Sequence, residues 1–357
     1  MTFLIMKTLL LLPIVLFTGS VFAEATPAPA PTWSKQASGV AGRLRGISAV
    51  DDTVAWASGS GNAVLRTADG GASWQKLTPP VDAQATPLDF RDIDAIDART
   101  AYLLSIGPSK ASRIFKTTDA GATWTQQYVN PDEKGFLDAM TFWDADSGLV
   151  IGDSIDGRFQ ILSTGDGGGY LAPRRAAALP PALPNEGAFS ASGSNIAVAG
   201  RSDAWIATGS RVLHTADRGK TWTVTPAPLD SGESAGIFSI TFRDALHGVI
   251  VGGDYKQERA AVNNVAVTSD GGKTWSLVRE KGLSGYRSAV KYLPGGGKSL
   301  VAVGPSGADL SLDDGRTWTP LAYPPSVAGF DAIGFAPGRK TAWASGNQGE
   351  LARVNFN

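Results

Sequence analysis

The chain has 357 residues, with 32 Lys and Arg against 33 Asp and Glu, so a net charge of −1 gives neither a basic excess for nucleic acid nor an acidic block for a disordered tail. It has no Cys and two His, which excludes disulfides, thiolate metal sites and thiolate nucleophiles; no metal and no cofactor is expected. Its 43 Gly and regularly spaced aromatics suit many short strands joined by tight turns.

Residues 1–23 read as an export signal. Lys7 is followed by the apolar run Leu9–Phe17, and Val21-Phe22-Ala23 is a small-residue cleavage site. Met6 serves equally well as the start. The run is short for a membrane span, no later stretch is long enough, and no Cys follows to carry a lipid. Cleavage after Ala23 and a periplasmic or secreted protein are expected. Residues 24–31, EATPAPAP, read as a Pro/Ala linker.

From residue 32 onward the chain is repetitive. The pattern Ser/Thr-x-Asp-x-Gly-x-x-Trp occurs intact at Thr67–Trp74, Thr117–Trp124, Thr215–Trp222, Thr268–Trp275 and Ser311–Trp318. A damaged copy has Thr164, Asp166 and Gly168 but Leu171 in place of Trp. Successive copies start 43 to 53 residues apart, the spacing of propellers and solenoids. The octet suits a tight turn between strands. Asp binds nearby backbone N–H groups, Gly accepts a positive φ, and Trp covers apolar surface as the next strand begins. Asp69, Asp119, Asp166, Asp217, Asp270 and Asp313 are therefore read as structural.

A second pattern counts the units independently. A small residue, a large apolar residue, a short apolar run and Gly recur from Ala55-Trp56, Ala101-Tyr102, Gly148-Leu149, Ala204-Trp205, Gly248-Val249, Ser299-Leu300 and Ala342-Trp343. Each reads as a buried strand ending in a turn. Seven units of four strands follow. Thr32-Trp33-Ser34-Lys35-Gln36 looks like the strand after an octet that is missing, and Gly329–Phe356 looks like a unit without its last strand. The two ends complete each other, so the N-terminal strand is expected to close the ring. The third unit is irregular: an Ala/Arg/Pro run over 169–180 replaces the Trp strand, as a loosened strand or a local reading-frame slip.

The octets are Asp-boxes, and the chain resembles the Asp-box (BNR) propellers. Arg45-Gly-Ile-Ser-Ala-Val50, Thr67–Trp74, Phe142-Trp-Asp-Ala-Asp-Ser-Gly148 and Ile240-Thr-Phe-Arg-Asp-Ala-Leu-His-Gly248 carry a closer similarity, over residues 32–356, to the photosystem II stability/assembly factor family. That resemblance implies an all-β, single seven-bladed propeller. It also implies an exported, non-catalytic protein that assists a membrane-protein intermediate through an Arg-bearing face. No photosynthetic role follows from the residues themselves.

Function in a propeller concentrates where the innermost strands begin. Aligning those strands on Ile47, Ile93, Met140, Ala191, Ile240, Val290 and Ile333 puts Arg45, Arg91, Asp138, Phe189, Phe238, Ser288 and Asp331 two residues earlier, with Arg287 beside Ser288. Non-repeated polar loops add Asp153, Asp156, Glu186, Asp254, Tyr255 and Tyr286. Two readings follow. In the first, Arg45, Arg91 and Arg287 contact an acidic protein segment, without membrane insertion and with the chain as a monomer. In the second, the resemblance to sialidases casts the same three arginines as a carboxylate clamp beside Tyr286 or Tyr255, Glu186 and Asp138, acting on a glycan. The chain departs from the sialidase Arg-Ile-Pro signature, with Arg45-Gly46-Ile47 in its place.

Overall fold

The structure is a computed structural model that describes Met1 and residues 31–79, 81, 86–169, 171–173, 179–184 and 186–356. The expected signal over 1–23, apart from Met1, and most of the linker over 24–31 lie outside the described residues, as does part of the 169–180 segment.

Twenty-eight strands form seven four-stranded antiparallel sheets. Strand β1 (Thr32–Gln36) precedes blade one, which holds β2 (Leu44–Ala49), β3 (Ala55–Gly59), β4 (Ala63–Thr67) and β5 (Gln75–Lys76). Blade two holds β6 (Asp89–Ala95), β7 (Ala101–Ile106), β8 (Arg113–Thr117) and β9 (Thr125–Val129). Blade three holds β10 (Leu137–Phe142), β11 (Gly148–Ile155), β12 (Arg158–Thr164) and β13 (Ala172–Pro173). Blade four holds β14 (Ile196–Ala199), β15 (Asp203–Ala207), β16 (Arg211–Thr215) and β17 (Thr223–Pro226). Blade five holds β18 (Ala235–Phe242), β19 (Gly248–Asp254), β20 (Val265–Thr268) and β21 (Ser276–Leu277). Blade six holds β22 (Ala289–Tyr292), β23 (Leu300–Gly304), β24 (Gly307–Ser311) and β25 (Thr319–Leu321). Blade seven holds β26 (Ala332–Phe335), β27 (Thr341–Ser345) and β28 (Leu351–Asn355), with β1 as its outer strand. The fold is thus the seven-bladed propeller expected, and its ring closes as expected, with Thr32 opposite Asn355 and Gln36 opposite Leu351. Trp33 stacks on Phe330 at 5.2 Å and meets Tyr323 edge-on. Among the described residues no helix is long and apolar enough to cross a membrane.

Each octet is the turn between third and fourth strands. In blade one the Thr67 hydroxyl donates to Asp69 at 2.8 Å and accepts the Gly71 N–H at 2.9 Å, while Asp69 accepts both the N–H and the hydroxyl of Ser73. The Ser73 hydroxyl is the main reason that the Asp69 carboxyl is drawn down to about 2. The same bonds recur at Asp119, Asp217, Asp270 and Asp313.

The second-strand aromatic of one blade packs on the octet turn of the next. Trp56 reaches Gly121, the Tyr102 hydroxyl donates to the Gly167 carbonyl at 2.5 Å, and the Trp205 indole donates to Gly271 at 2.8 Å. Gly121 has φ +86°, and a Cβ there would fall 2.4 Å from Leu77, so both backbone and space demand glycine. Trp56, Tyr102, Trp205 and Trp343 are all fully buried, and a Trp of this kind removes enough surface from water to stabilise the fold by roughly 4–6 kcal/mol. The octets therefore join blade to blade. Blade three keeps the device despite its altered sequence: Thr164 still bonds Asp166 and Gly168, and Leu171 fills the space of the absent Trp beside Tyr102. Its fourth strand is present rather than lost: among the described residues Ala172–Pro173 pairs with Leu162 and Ser163.

Candidate functional site

Innermost strands begin on the face opposite the octet turns, because successive strands alternate in direction. On that face a depression of about 430 Å³ is lined by residues of blades one, two, three, five and six. Its walls come from an irregularity repeated in several blades. The pairing of β2 with β3 skips Arg45, that of β6 with β7 skips Arg91, that of β10 with β11 skips Asp138, and that of β18 with β19 skips Phe238. Between β11 and β12 the ladder likewise skips Asp153. Such bulges free a residue from the ladder and re-aim its side chain. All five line the depression.

The floor is the segment 188–194, which crosses the ring before blade four. Its carbonyls at Ala191 and Ser190 accept N–H groups of Arg45 and Arg91, each at 3.1 Å. The Ser192 hydroxyl donates to the Ser288 carbonyl of blade six at 2.8 Å, and the Ser194 hydroxyl donates to Ser239 of blade five at 2.8 Å. Four blades are thus tied across the centre by one strip of chain.

This strip also explains a register error. β14 begins at Ile196, and Ile196 pairs with Ile206 just after Trp205, as Ile47 pairs with Ala57 just after Trp56. The strand-like run Ala188–Ser192 placed the expected alignment five residues early, at Ala191 instead of Ile196. Phe189 still reaches the depression, from the loop. There it stacks on Phe238 at 4.0 Å, and Phe238 meets Tyr286 edge-on at 4.7 Å and Tyr255 at 6.2 Å.

The charged groups differ sharply in how they are paired. Arg91 is bonded to Asp89 at 2.9 Å. Arg45 is half-buried and has no carboxylate partner among the described residues; burial, and then the charge of Arg91, pull it down to about 10. Asp153 accepts the Ala188 N–H at 3.2 Å, and burial raises its carboxyl. Asp138 is 1% exposed, and burial, then the Asp153 charge, raise it well above the usual carboxylate range.

Of the residues expected at the site, Arg45, Arg91, Asp138, Asp153, Tyr255 and Tyr286 come together. Arg287 does not. It is fully buried, bonded to Asp309 at 2.7 Å, to the Tyr286 carbonyl and to the Ser284 hydroxyl. Asp331 is equally buried and holds Arg43 through two bonds of 2.6 and 2.7 Å. Glu186 is clamped by Arg211 and Thr208 beside the depression. Asp156 is exposed on a hairpin, paired with Lys134, and Asp254 closes a turn through the Lys256 N–H and the Gln257 side chain. Ser288 is buried under the strip. The residues not expected are Arg43, Phe136, Ala188, Ser190, Glu258 and Pro305. Arg43 lies two residues before Arg45, just outside β2, and the bulge at Arg45 breaks the strand alternation that would have announced it.

No family model matches the chain, and no curated protein does. Solved structures do. "YCF48 bound to D1 peptide" is 17% identical with a TM-score of 0.64, over 93% of this chain and 99% of that one. Virginiamycin B lyase from Staphylococcus aureus is 12% identical with a TM-score of 0.65, over 92% and 100%. An ancestral GH74 enzyme is 14% identical with a TM-score of 0.64, over 92% and 46%. A peptide-bound protein, a lyase and a GH74 enzyme share this architecture. At such identities the likeness defines the chain as a seven-bladed propeller and leaves function to the site.

Proposed function

We propose that the chain is a non-catalytic binding propeller, of the assembly-factor kind, that grips an acidic segment of a protein partner at the axial depression. Arg45 carries the argument. A half-buried guanidinium without a counter-charge is unfavourable, and a partner carboxylate would relieve it while the wall of Phe189, Phe238, Tyr255 and Tyr286 covers apolar groups beside it. The D1 peptide on YCF48 supports a peptide as the ligand class. On this reading the octets are Asp-boxes, residues 1–23 are removed on export, and the mature monomer works in the periplasm or outside the cell on a membrane-protein intermediate.

One observation favours a second reading, hydrolysis of a sialoside-like glycan. Arg43, Arg45 and Arg91 share the depression with Tyr286, Tyr255, Glu258 and Asp138. Against it, Arg43 and Arg91 are already paired, and no carboxylate among the described residues bonds the Tyr286 hydroxyl to activate it. The test is a pull-down from periplasm and detergent-solubilised membrane with wild type and an Arg45→Ala/Arg91→Ala variant. A protein kept by the wild type and released by the variant is expected. Equal retention by both, or none by either, rejects binding here. Sialoside cleavage by the wild type alone would replace it with the hydrolase.

A further inference from the structure

Most buried carboxylates among the described residues have partners: Asp309 has Arg287, Asp331 has Arg43, Glu186 has Arg211, Asp314 has Arg243, and Asp92 accepts the Met140 N–H. Asp138 differs. It is 1% exposed, it lines the depression, and neither of its oxygens has a hydrogen-bond partner among the described residues. Leaving such a group unsatisfied opposes folding unless something else completes it. The charge balance says what. Arg43 is neutralised by Asp331 and Arg91 by Asp89, so among the described residues lining the depression Arg45 is the cation without a carboxylate partner, and it shares that lining with Asp138, Asp153 and Glu258. The acids of blade three stand two blades round the ring from Arg45.

Resting on the binding reading above, we infer that Asp138 forms a second subsite that takes a basic group, so that the recognised segment is dipolar, with an acidic side chain on Arg45 and an ammonium on Asp138. Asp153, beside Asp138 on blade three, strengthens the field for that cation. The aromatic wall receives the stems between the two charges. Acidic groups alone satisfy only Arg45 and leave the carboxylate side bare.

The test uses three capped dipeptides, acetylated and amidated: Asp-Lys, Asp-norleucine and Ala-Lys. Each is titrated into the mature protein, following the carboxyl carbon of Asp138 by NMR. Asp-Lys should move that signal and bind ~10-fold more tightly than Asp-norleucine, the worth of one charge-assisted bond in a shielded site. Asp138→Asn, of unchanged shape, should erase the preference for Lys, and Arg45→Ala should erase only the preference for Asp. No response of Asp138 to either Lys peptide, or a Lys preference that survives Asp138→Asn, overturns the inference. A Lys effect without an Asp effect would keep it and sink the Arg45 reading instead. If Asp138→Asn does not fold, the wild-type signal decides.

Discussion

Asp309→Asn separates framework from site. The substitution keeps the shape of Asp309 but removes the one anion bonded to Arg287 among the described residues, and the two side chains are 0% and 1% exposed. Breaking such a pair leaves a buried, uncompensated charge and should cost about 3–5 kcal/mol. The Arg287 bonds to the Tyr286 carbonyl and the Ser284 hydroxyl survive, which places the loss toward the lower end. For a chain of this length each kcal/mol lowers Tm by a little over a degree, so a fall of about 4–5 °C is expected. Calorimetry and urea unfolding measure it, with the urea midpoint moving and the slope held. The double change Arg287→Met/Asp309→Leu, which removes both charges, should regain most of the loss. A single variant melting within about 1 °C of wild type, against that expectation, would refute the framework role of Arg287. So would an Arg287→Ala protein that is stable but blind to the partner.

Other outcomes follow from the same geometry. Trp205→Ala, which removes an indole stacked on Phe242 and bonded to Gly271, should lose about 3–5 kcal/mol by urea unfolding, and Trp205→Phe markedly less. Deleting Thr32–Gln36 bares the edge of β28 and the face of Phe330, and light scattering should show self-association absent from the full chain. The octet carboxyls Asp69 and Asp119 sit at about 2, below their unfolded values near 4, so their stabilisation is present above about pH 4 and is lost as pH falls toward 2. Tm followed over that range should fall less steeply in an Asp69→Asn/Asp119→Asn variant than in wild type. Asp138 and Asp92, raised by burial, act in the opposite sense and lose stability as pH climbs above about 4, so Asp138→Asn should gain most at neutral pH.

Much of this architecture could be read from the chain because repeats report on themselves. The octets and the strands beginning at Trp56, Tyr102 and Trp205 are local patterns, and each is constrained by the same neighbour in the next blade. The closing strand was legible because Thr32–Gln36 and Gly329–Phe356 are each incomplete. The site was less so. Arg45 and Arg91 stand at bulges that recur in register, and the repeat exposes them. Arg287 stands at a similar place, but its fate is set by Asp309 on β24, which no local spacing announces. Glu186 is withdrawn by Arg211 in the same way. The strip over 188–194 misled the register since a buried, Ala- and Ser-rich crossing segment has the composition of a strand. Its role depends on contacts with four blades at once.

The closing strand also fixes when the protein can become whole. β1 pairs with β28, and Lys35 meets Glu350, 315 positions further along the chain. During synthesis the first strand therefore waits for the last, while six blades can assemble in order behind it. The nascent ring stays open, with one edge unpaired, until β28 arrives. Loop closure on that scale is slow but adds little extra entropy per residue. Completion is then a single late event, and a chain truncated by even one strand at either end would present an open ring to whatever monitors unfinished proteins.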